Sequence, residues 1–506
     1  MAAAWKYEVC GAASRCREEC EPSLFAPAPY VAPMTAAPTI AAAGADTPAV
    51  GALWRLEFAE TAKLAFPLAV TQLGQIAMMT TDLALLGRLG DQVVAAAALS
   101  HTVLFAAFTL GMGLTSAVAP LAAQAFGARN PRFVRRSVRV GLWAAILAGV
   151  PLTALQFWGE EILLALGQAP ESAELAGRYL FGLSWCLIPA WAFMVLRNFM
   201  SAVNRPEPAL WITLTAIPFN GVLAYALIYG AFGAPRLDLL GAGLATTLVN
   251  VFMCAAAIWI AYTRRPFKKY RVLGRFWRFD GHLFRQLLVI GLPISGSFLL
   301  EYGLFAAAAL LMGSISTSAI AAHQIALQTA AVLYMVPFGI SMAATVRVGQ
   351  AVGRRDGEAT RRAGFTAIIL AVAFMVVMTV IVAFSRHSIP LLFLGDTAAA
   401  GETIALAATL LVLGVTFFIT DGAQSVAAGA LRGLNDTRIP LLIAAFSFWI
   451  VGFVGSYGLA FPAGLGAIGV WIGLSLGTGV FAVLLLWRFH VLTRAQYMPT
   501  APGAAA

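Results

Sequence analysis

The sequence predicts an all-α integral membrane protein whose twelve transmembrane helices form two pseudo-symmetric six-helix bundles. Three observations predict it: the scarcity of charge, the spacing of the apolar runs, and an internal repeat. Hydrophobic residues make up 60% of the 506 and charged residues 11%, with a mean hydropathy of +0.83. A water-soluble chain of this size carries about a quarter charged residues. A net charge of +10 would suggest nucleic acid in a soluble protein, but here the arginines cluster in short loops between apolar runs, where they set membrane orientation.

A bilayer core about 30 Å thick takes roughly 20 apolar residues at the helical rise. Spans are expected near 63–88, 92–118, 137–158, 175–203, 208–231 and 239–262. A second set is expected near 286–312, 317–344, 363–385, 402–431, 438–461 and 466–489. These runs define lobes at 56–262 and 282–490, a basic linker at 263–281 and a C-terminal tail at 491–506. Residues 1–55 read as a disordered or mis-annotated extension, with Met34 an alternative start, because Ala and Pro dominate and no sustained apolar stretch occurs. Cys10, Cys16 and Cys20 in that tail have no His or fourth Cys beside them, so no zinc site is expected.

Loop charge alternates as an even number of spans requires. Arg129, Arg132, Arg135, Arg136 and Arg139 follow span two, and Arg354, Arg355, Arg361 and Arg362 follow span eight. Glu160, Glu161, Glu171 and Glu174 lie between spans three and four. The positive-inside rule then places both termini and the linker in the cytoplasm.

Shifting the chain by 226 residues lays Pro67 on Pro293, Gly87 on Gly313 and Gly113 on Gly339. The same shift lays Gln124 on Gln350, Gly127 on Gly353 and Arg129 on Arg355 without a gap. Six spans per half is an even number, so the halves point the same way and are related by an axis along the membrane normal. Two such bundles leave a central cleft, and rocking them against each other is a route to alternating access.

Three acids interrupt the apolar runs. Glu301 lies near the middle of span seven, Asp421 on the inner side of the middle of span ten, and Asp82 toward the outer part of span one. An acid at a helix centre costs about 2.5–3.5 kcal/mol on insertion scales, so each faces protein, water or an ion. For Asp82 a structural pair with Arg88 is the competing reading. Glu301 falls on Gln75 under the repeat, so one half places a titratable group where the other needs only polarity. Carboxylates in a cleft can exchange a proton, or with other oxygens hold a hard cation such as Na⁺. The histidines read as interfacial groups near helix ends, and Arg197 as the one deep basic residue. None of the four lysines sits in a Gly-rich phosphate loop, and no HExxH motif occurs. The reading is a secondary transporter, neither an enzyme nor an ATPase, with no cofactor beyond a coupling ion.

The segments TTDLALLGRLG, APLAAQAFGARN, LPISGSFLLEYGLF, TVRVGQAVGRRD and TDGAQSVAAGALRGLNDTRIP together resemble the multidrug and toxic compound extrusion transporters, in their NorM-like branch. The resemblance covers roughly residues 60–490. It implies export of small organic cations by antiport with Na⁺ or H⁺, in a bacterial inner membrane, by a protein that works as a monomer. Glu301 and Asp421 match the family's cation-binding acids and its candidate Na⁺ ligands, Asp82 matches an acid implicated in coupling, and Tyr334 resembles an aromatic near the cation site. One turn before Asp421, where some relatives place a Tyr, this chain has Phe417. The alternatives are a flippase for lipid-linked sugars, against which the acidic character of the mid-span charges argues, and a channel or non-transporting scaffold.

Overall fold

The computed structural model describes residues 50–495, apart from 166, 234 and 396–400, together with 497. The expectations placed on the N-terminal tail, including Met34 and the three tail cysteines, lie outside the described residues.

The first half contains α1 (Val50–Leu86), α2 (Asp91–Ser116), α3 (Val118–Gly127), α4 (Pro131–Gln156), α5 (Gly159–Ala165), α6 (Pro170–Ser184), α7 (Leu187–Ala202), α8 (Glu207–Tyr229) and α9 (Asp238–Thr263). The second contains α10 (Gly281–Ile315), α11 (Thr317–Gly353), α12 (Gly357–Phe384), α13 (Ser388–Leu394), α14 (Gly401–Gly433), α15 (Arg438–Ala444), a π-helical stretch over Ala445–Phe453, α16 (Val454–Ala460) and α17 (Gly466–Arg494). Among the described residues ten helices are long and apolar enough to cross a bilayer, and eleven if the bent pair α6–α7 is one span. The twelfth expected span is α1, 37 residues long, whose apolar run is diluted by Pro67, Gln72 and Gln75.

Two spans are broken, and proline accounts for both. Pro120 cannot donate to the Ser116 carbonyl one turn back, and the helix breaks at Ala117 between α2 and α3. Pro189 stands in the same relation to Trp185, and α6 meets α7 at a 42° bend. Span four therefore starts at Pro170, and Glu171 and Glu174 belong to its first turns, not to a loop as the sequence suggested. The last helix likewise runs on to Arg494, into the expected tail.

The corners at the arginine-rich end repeat. Arg129 adopts a left-handed φ of 55°, and Asn130 then caps α4 by accepting from the Phe133 N–H at 3.1 Å. Arg355 does the same at 58°, and Asp356 caps α12 by accepting from the Ala359 N–H at 2.9 Å. A short polar side chain after a left-handed residue stops one helix and starts the next.

The repeat also appears in three dimensions. A side chain on Gly113 would strike Ser295, and one on Gly339 would strike Ala69, its partner under the same shift. Gly127 lies against the Gln350 carbonyl, and Gly353 against the Gln124 carbonyl. Gln124 Nε2 donates to the Gly433 carbonyl at 2.9 Å, and its Oε1 accepts from Asn435 Nδ2 at 2.9 Å. Gln350 Nε2 donates to the Ala202 carbonyl at 3.0 Å and to Asn204 Oδ1 at 2.9 Å. With the Glu57–Arg347 ion pair at 2.8 Å, these contacts close the halves against each other at the arginine-rich end.

Outer faces are apolar and uncovered, with Trp211, Val222, Leu310, Val377 and Val483 all exposed. Such faces require hydrocarbon around them.

Candidate functional site

Three of the four expected site residues meet in the second half. Glu301 projects from the middle of α10, Asp421 from α14 and Tyr334 from α11. Gln424, one turn after Asp421, donates through Nε2 both to Glu301 Oε1 at 2.9 Å and to Asp421 Oδ1 at 2.8 Å. One neutral amide therefore joins two carboxylates, and the buried Gln424 Oε1 is without a partner among the described residues. Asp421 is only 5% exposed. Glu301, Tyr334, Gln424, Ser425 and Arg432 line a cavity of about 30 Å³, with Phe298 and Phe481 among its apolar walls.

Local sequence explains the convergence. Gly429 packs on the Ser341 backbone and Gly433 on Val348, so α14 lies directly on α11. Ser341 and Thr345 donate across this seam to the Ser425 and Gly429 carbonyls at 2.6 and 2.8 Å. Small residues permit that approach, and the hydroxyls hold its register. No cationic side chain lies within 4 Å of either acid among the described residues. Two carboxylates, an amide, a phenol and a hydroxyl beside a water-sized cavity form an oxygen-rich site suited to a proton or a small hard cation.

Asp82 stands apart, in the first half. Asn220 Nδ2 of α8 donates to its Oδ1 at 2.6 Å, and Thr246 Oγ1 of α9 to its Oδ2 at 3.1 Å. The expected alternative, a pair with Arg88, does not form: Arg88 is exposed on the turn after α1 and makes no ion pair among the described residues. Asp82 is thus a buried acid held by neutral donors, 8% exposed.

Gln424 and Ser425 follow Asp421 on adjacent helix faces and are readable beside it, but three functional neighbours were less visible in the sequence. Asn220 and Thr246 are neutral and do not stand out in apolar runs. Arg432 is a correction: it is a second deep basic residue, because α14 continues to Gly433 and carries it over the Phe298 ring at 4.8 Å. His323 is another, being wholly buried in α11, where its Nδ1 accepts from Trp471 Nε1 at 3.2 Å. Phe417, one turn before Asp421, packs edge-on against Phe305 and Trp471.

The MatE family profile matches the chain twice, at residues 67–226 and 293–458. The chain belongs to the MatE family. The two matched segments begin at the repeat-related Pro67 and Pro293, so each half is one MatE unit. Curated MatE relatives include the probable multidrug resistance protein NorM of Rhodopseudomonas palustris, 62% identical over 91% of this chain and 97% of its own. The probable multidrug resistance protein NorM of Bradyrhizobium diazoefficiens is 58% identical over 87% and 94%. Among solved structures, the eukaryotic MATE transporter AtDTX14 superposes with a TM-score of 0.78 at 22% identity, over 88% of this chain and 98% of that one. An outward-facing multidrug resistance MATE family transporter of the MOP superfamily gives 0.80 at 20% identity, over 88% and 97%. These structural matches establish the MatE fold, and Asp82, Glu301, Tyr334 and Asp421 all lie inside the matched units.

Proposed function

We propose that this protein is a multidrug efflux transporter that exports organic cations by antiport, with Glu301 and Asp421 as the coupling acids. Membership of the MatE family makes it a multi-pass membrane transporter and not an enzyme, and leaves the flippase and scaffold readings without support. The observation that carries the coupling assignment is the Gln424 amide shared by the two carboxylates beside a small interior cavity.

An ion entering this cavity, Na⁺ or H⁺, supplies positive charge in direct contact with the acids. The neutral Gln424 amide does not, and Arg432, on the cavity wall but beyond 4 Å of either acid, does not reach to supply it. Buried carboxylates without a counter-charge are costly, so occupancy by the ion and occupancy by a cationic cargo compete for the same negative charge. A ligand shifts a conformational equilibrium only by its differential affinity for the two states. Antiport follows if ion and cargo favour opposite arrangements of the lobes. Tyr334 supplies a phenol oxygen at the cavity wall, and Asp82 serves as a second acid in the other lobe. In this reading the protein works in the bacterial inner membrane as a monomer, with lobes at 56–262 and 282–490, and the arginine-rich corners support a cytoplasmic side for both termini and the 263–281 linker.

The test is transport in proteoliposomes with Na⁺ and H⁺ gradients imposed separately. Glu301→Gln keeps an acceptor for Gln424 and copies Gln75 of the other half, so expression and cargo binding are expected to survive while gradient-driven efflux is lost. Asp421→Asn should behave alike, and Asp82→Asn should slow efflux. Wild-type export by both Glu301→Gln and Asp421→Asn would overturn the assignment.

A further inference from the structure

A second interior cavity, also of about 30 Å³, lies between the lobes and is lined by Arg197, Asn198 and Ser201 of α7, Thr345 of α11 and Arg432 of α14. We infer that this cavity binds a small monovalent anion of the halide class, held between one guanidinium from each lobe. The inference stands on different residues from the coupling acids and does not depend on them.

Five observations support it. Arg197 is 2% exposed, and its Nη1 donates to the neutral Gln72 Oε1 at 2.6 Å while its buried Nε has no partner among the described residues. Neither arginine forms an ion pair within 4 Å among the described residues. Buried charges are as a rule compensated, and an amide dipole is not a counter-charge. No carboxylate lines the cavity: Asn198, Ser201 and Thr345 donate to the Thr115, Arg197 and Gly429 carbonyls, Met194, Phe338, Met342 and Val346 are apolar, and the two guanidiniums supply the only charge in its lining. The volume suits one ion or a pair of waters, and excludes a drug-sized molecule. Finally, each arginine is anchored within its own lobe, by different chemistry from one position of the repeat. Gln72 of α1 receives Arg197, Phe298 of α10 lies under Arg432, and Gln72 and Phe298 are equivalent under the 226-residue shift.

The placement has a mechanical consequence. Arg197 moves with the first lobe and Arg432 with the second, so a bound anion bridges them only while the lobes are closed at the arginine-rich end. The anion therefore favours this closed arrangement. Arg432 also lines the Glu301 cavity, so the anion draws that guanidinium away from the coupling acid and leaves the acid's charge to the exported ion or cargo.

The test uses the full-length protein in detergent at constant ionic strength, with gluconate replaced stepwise by chloride or bromide. The melting temperature is expected to climb with the logarithm of halide concentration, and the chloride-35 NMR line should broaden in proportion to protein. Arg197→Gln should abolish both responses, and Arg197→Lys should keep the broadening at weaker affinity, which separates loss of the site from loss of folding. A wild-type protein that melts alike in chloride and gluconate and leaves the chloride line unbroadened would overturn the inference. So would stabilisation by a zwitterionic cargo alone with chloride ineffective, since the cavity would then serve a cargo carboxylate.

Discussion

Gln350 offers a direct measure of how firmly the lobes are held together at the arginine-rich end. It is 1% exposed and donates to the Ala202 carbonyl at 3.0 Å and to Asn204 Oδ1 at 2.9 Å, both across the lobe interface. When the lobes part, all three groups meet water, so the relevant value of each bond is its net exchange value of about 1 kcal/mol. Gln350→Ala should therefore weaken the closed state by about 2 kcal/mol, which moves the closed-to-open ratio by roughly thirtyfold. The Glu57–Arg347 pair remains, so the shift is a redistribution and not a collapse. The assay is pulsed electron spin resonance between labels at Arg132→Cys and Arg354→Cys, two exposed sites on opposite lobes, with the native cysteines replaced by alanine. Gln124→Ala removes the repeat-equivalent contacts to Gly433 and Asn435 and should shift the distribution by a similar amount. An unchanged distance distribution in both variants would show that these glutamines do not hold the closure.

Two further predictions address the linker and the topology. Burial would lift the Asp280 carboxyl, but the hydrogen bond from Arg136, the Leu283 N–H and the nearby Arg139 outweigh it and hold it below the usual carboxylate range. A depressed folded-state value adds stability above the unfolded value near 3.9, and that stability is lost as pH falls through the folded value. The difference in thermal stability between wild type and Asp280→Asn should accordingly be flat around neutrality, shrink as pH falls below about 4 and vanish only below the folded value, while Asp280→Ala should cost about 1 kcal/mol more because it also loses the cap of α10. For topology, Lys268→Cys should resist an impermeant thiol reagent in intact cells, and Ala463→Cys in the exposed turn before α17 should react. The reverse pattern would invert the orientation.

The apolar runs revealed the spans because the cost of exposing a backbone to hydrocarbon leaves few alternatives. Their ends and breaks were harder to read. Pro120 and Pro189 are visible in the sequence, yet Pro67, Pro293 and Pro337 look the same and leave their helices continuous. The carbonyls those three leave without a helical donor are those of Lys63, Val289 and Leu333, one turn back, and the helices run on past them. Whether a proline breaks a span depends on neighbours that periodicity does not supply. Arg432 was misjudged for a related reason. It stands beside Asn435, Asp436 and Arg438, a composition that reads as loop, and only the continuation of α14 under α10 carries it inward.

The acids were legible because charge in hydrocarbon is expensive, and Gln424 was legible beside Asp421, whereas Asn220 and Thr246, the neutral partners of Asp82 on other helices, were not. The repeat separates the two kinds of residue more sharply than hydropathy does. Positions that both halves keep, such as Gln124 with Gln350, Gly127 with Gly353 and Gly113 with Gly339, fall on the interface between the lobes. A two-fold interface brings the same patch of each unit against the other, so a residue that serves it in one half serves it in both. Positions where the halves part company include Glu301 against Gln75, Asp82 against Ala308 and Phe298 against Gln72, and these carry charge or hold an arginine. A device that couples one flow to another needs two lobes that respond unequally to the same ion. Symmetry at the seam and asymmetry within the lobes are therefore complementary requirements, and a single shift of the sequence against itself distinguishes them.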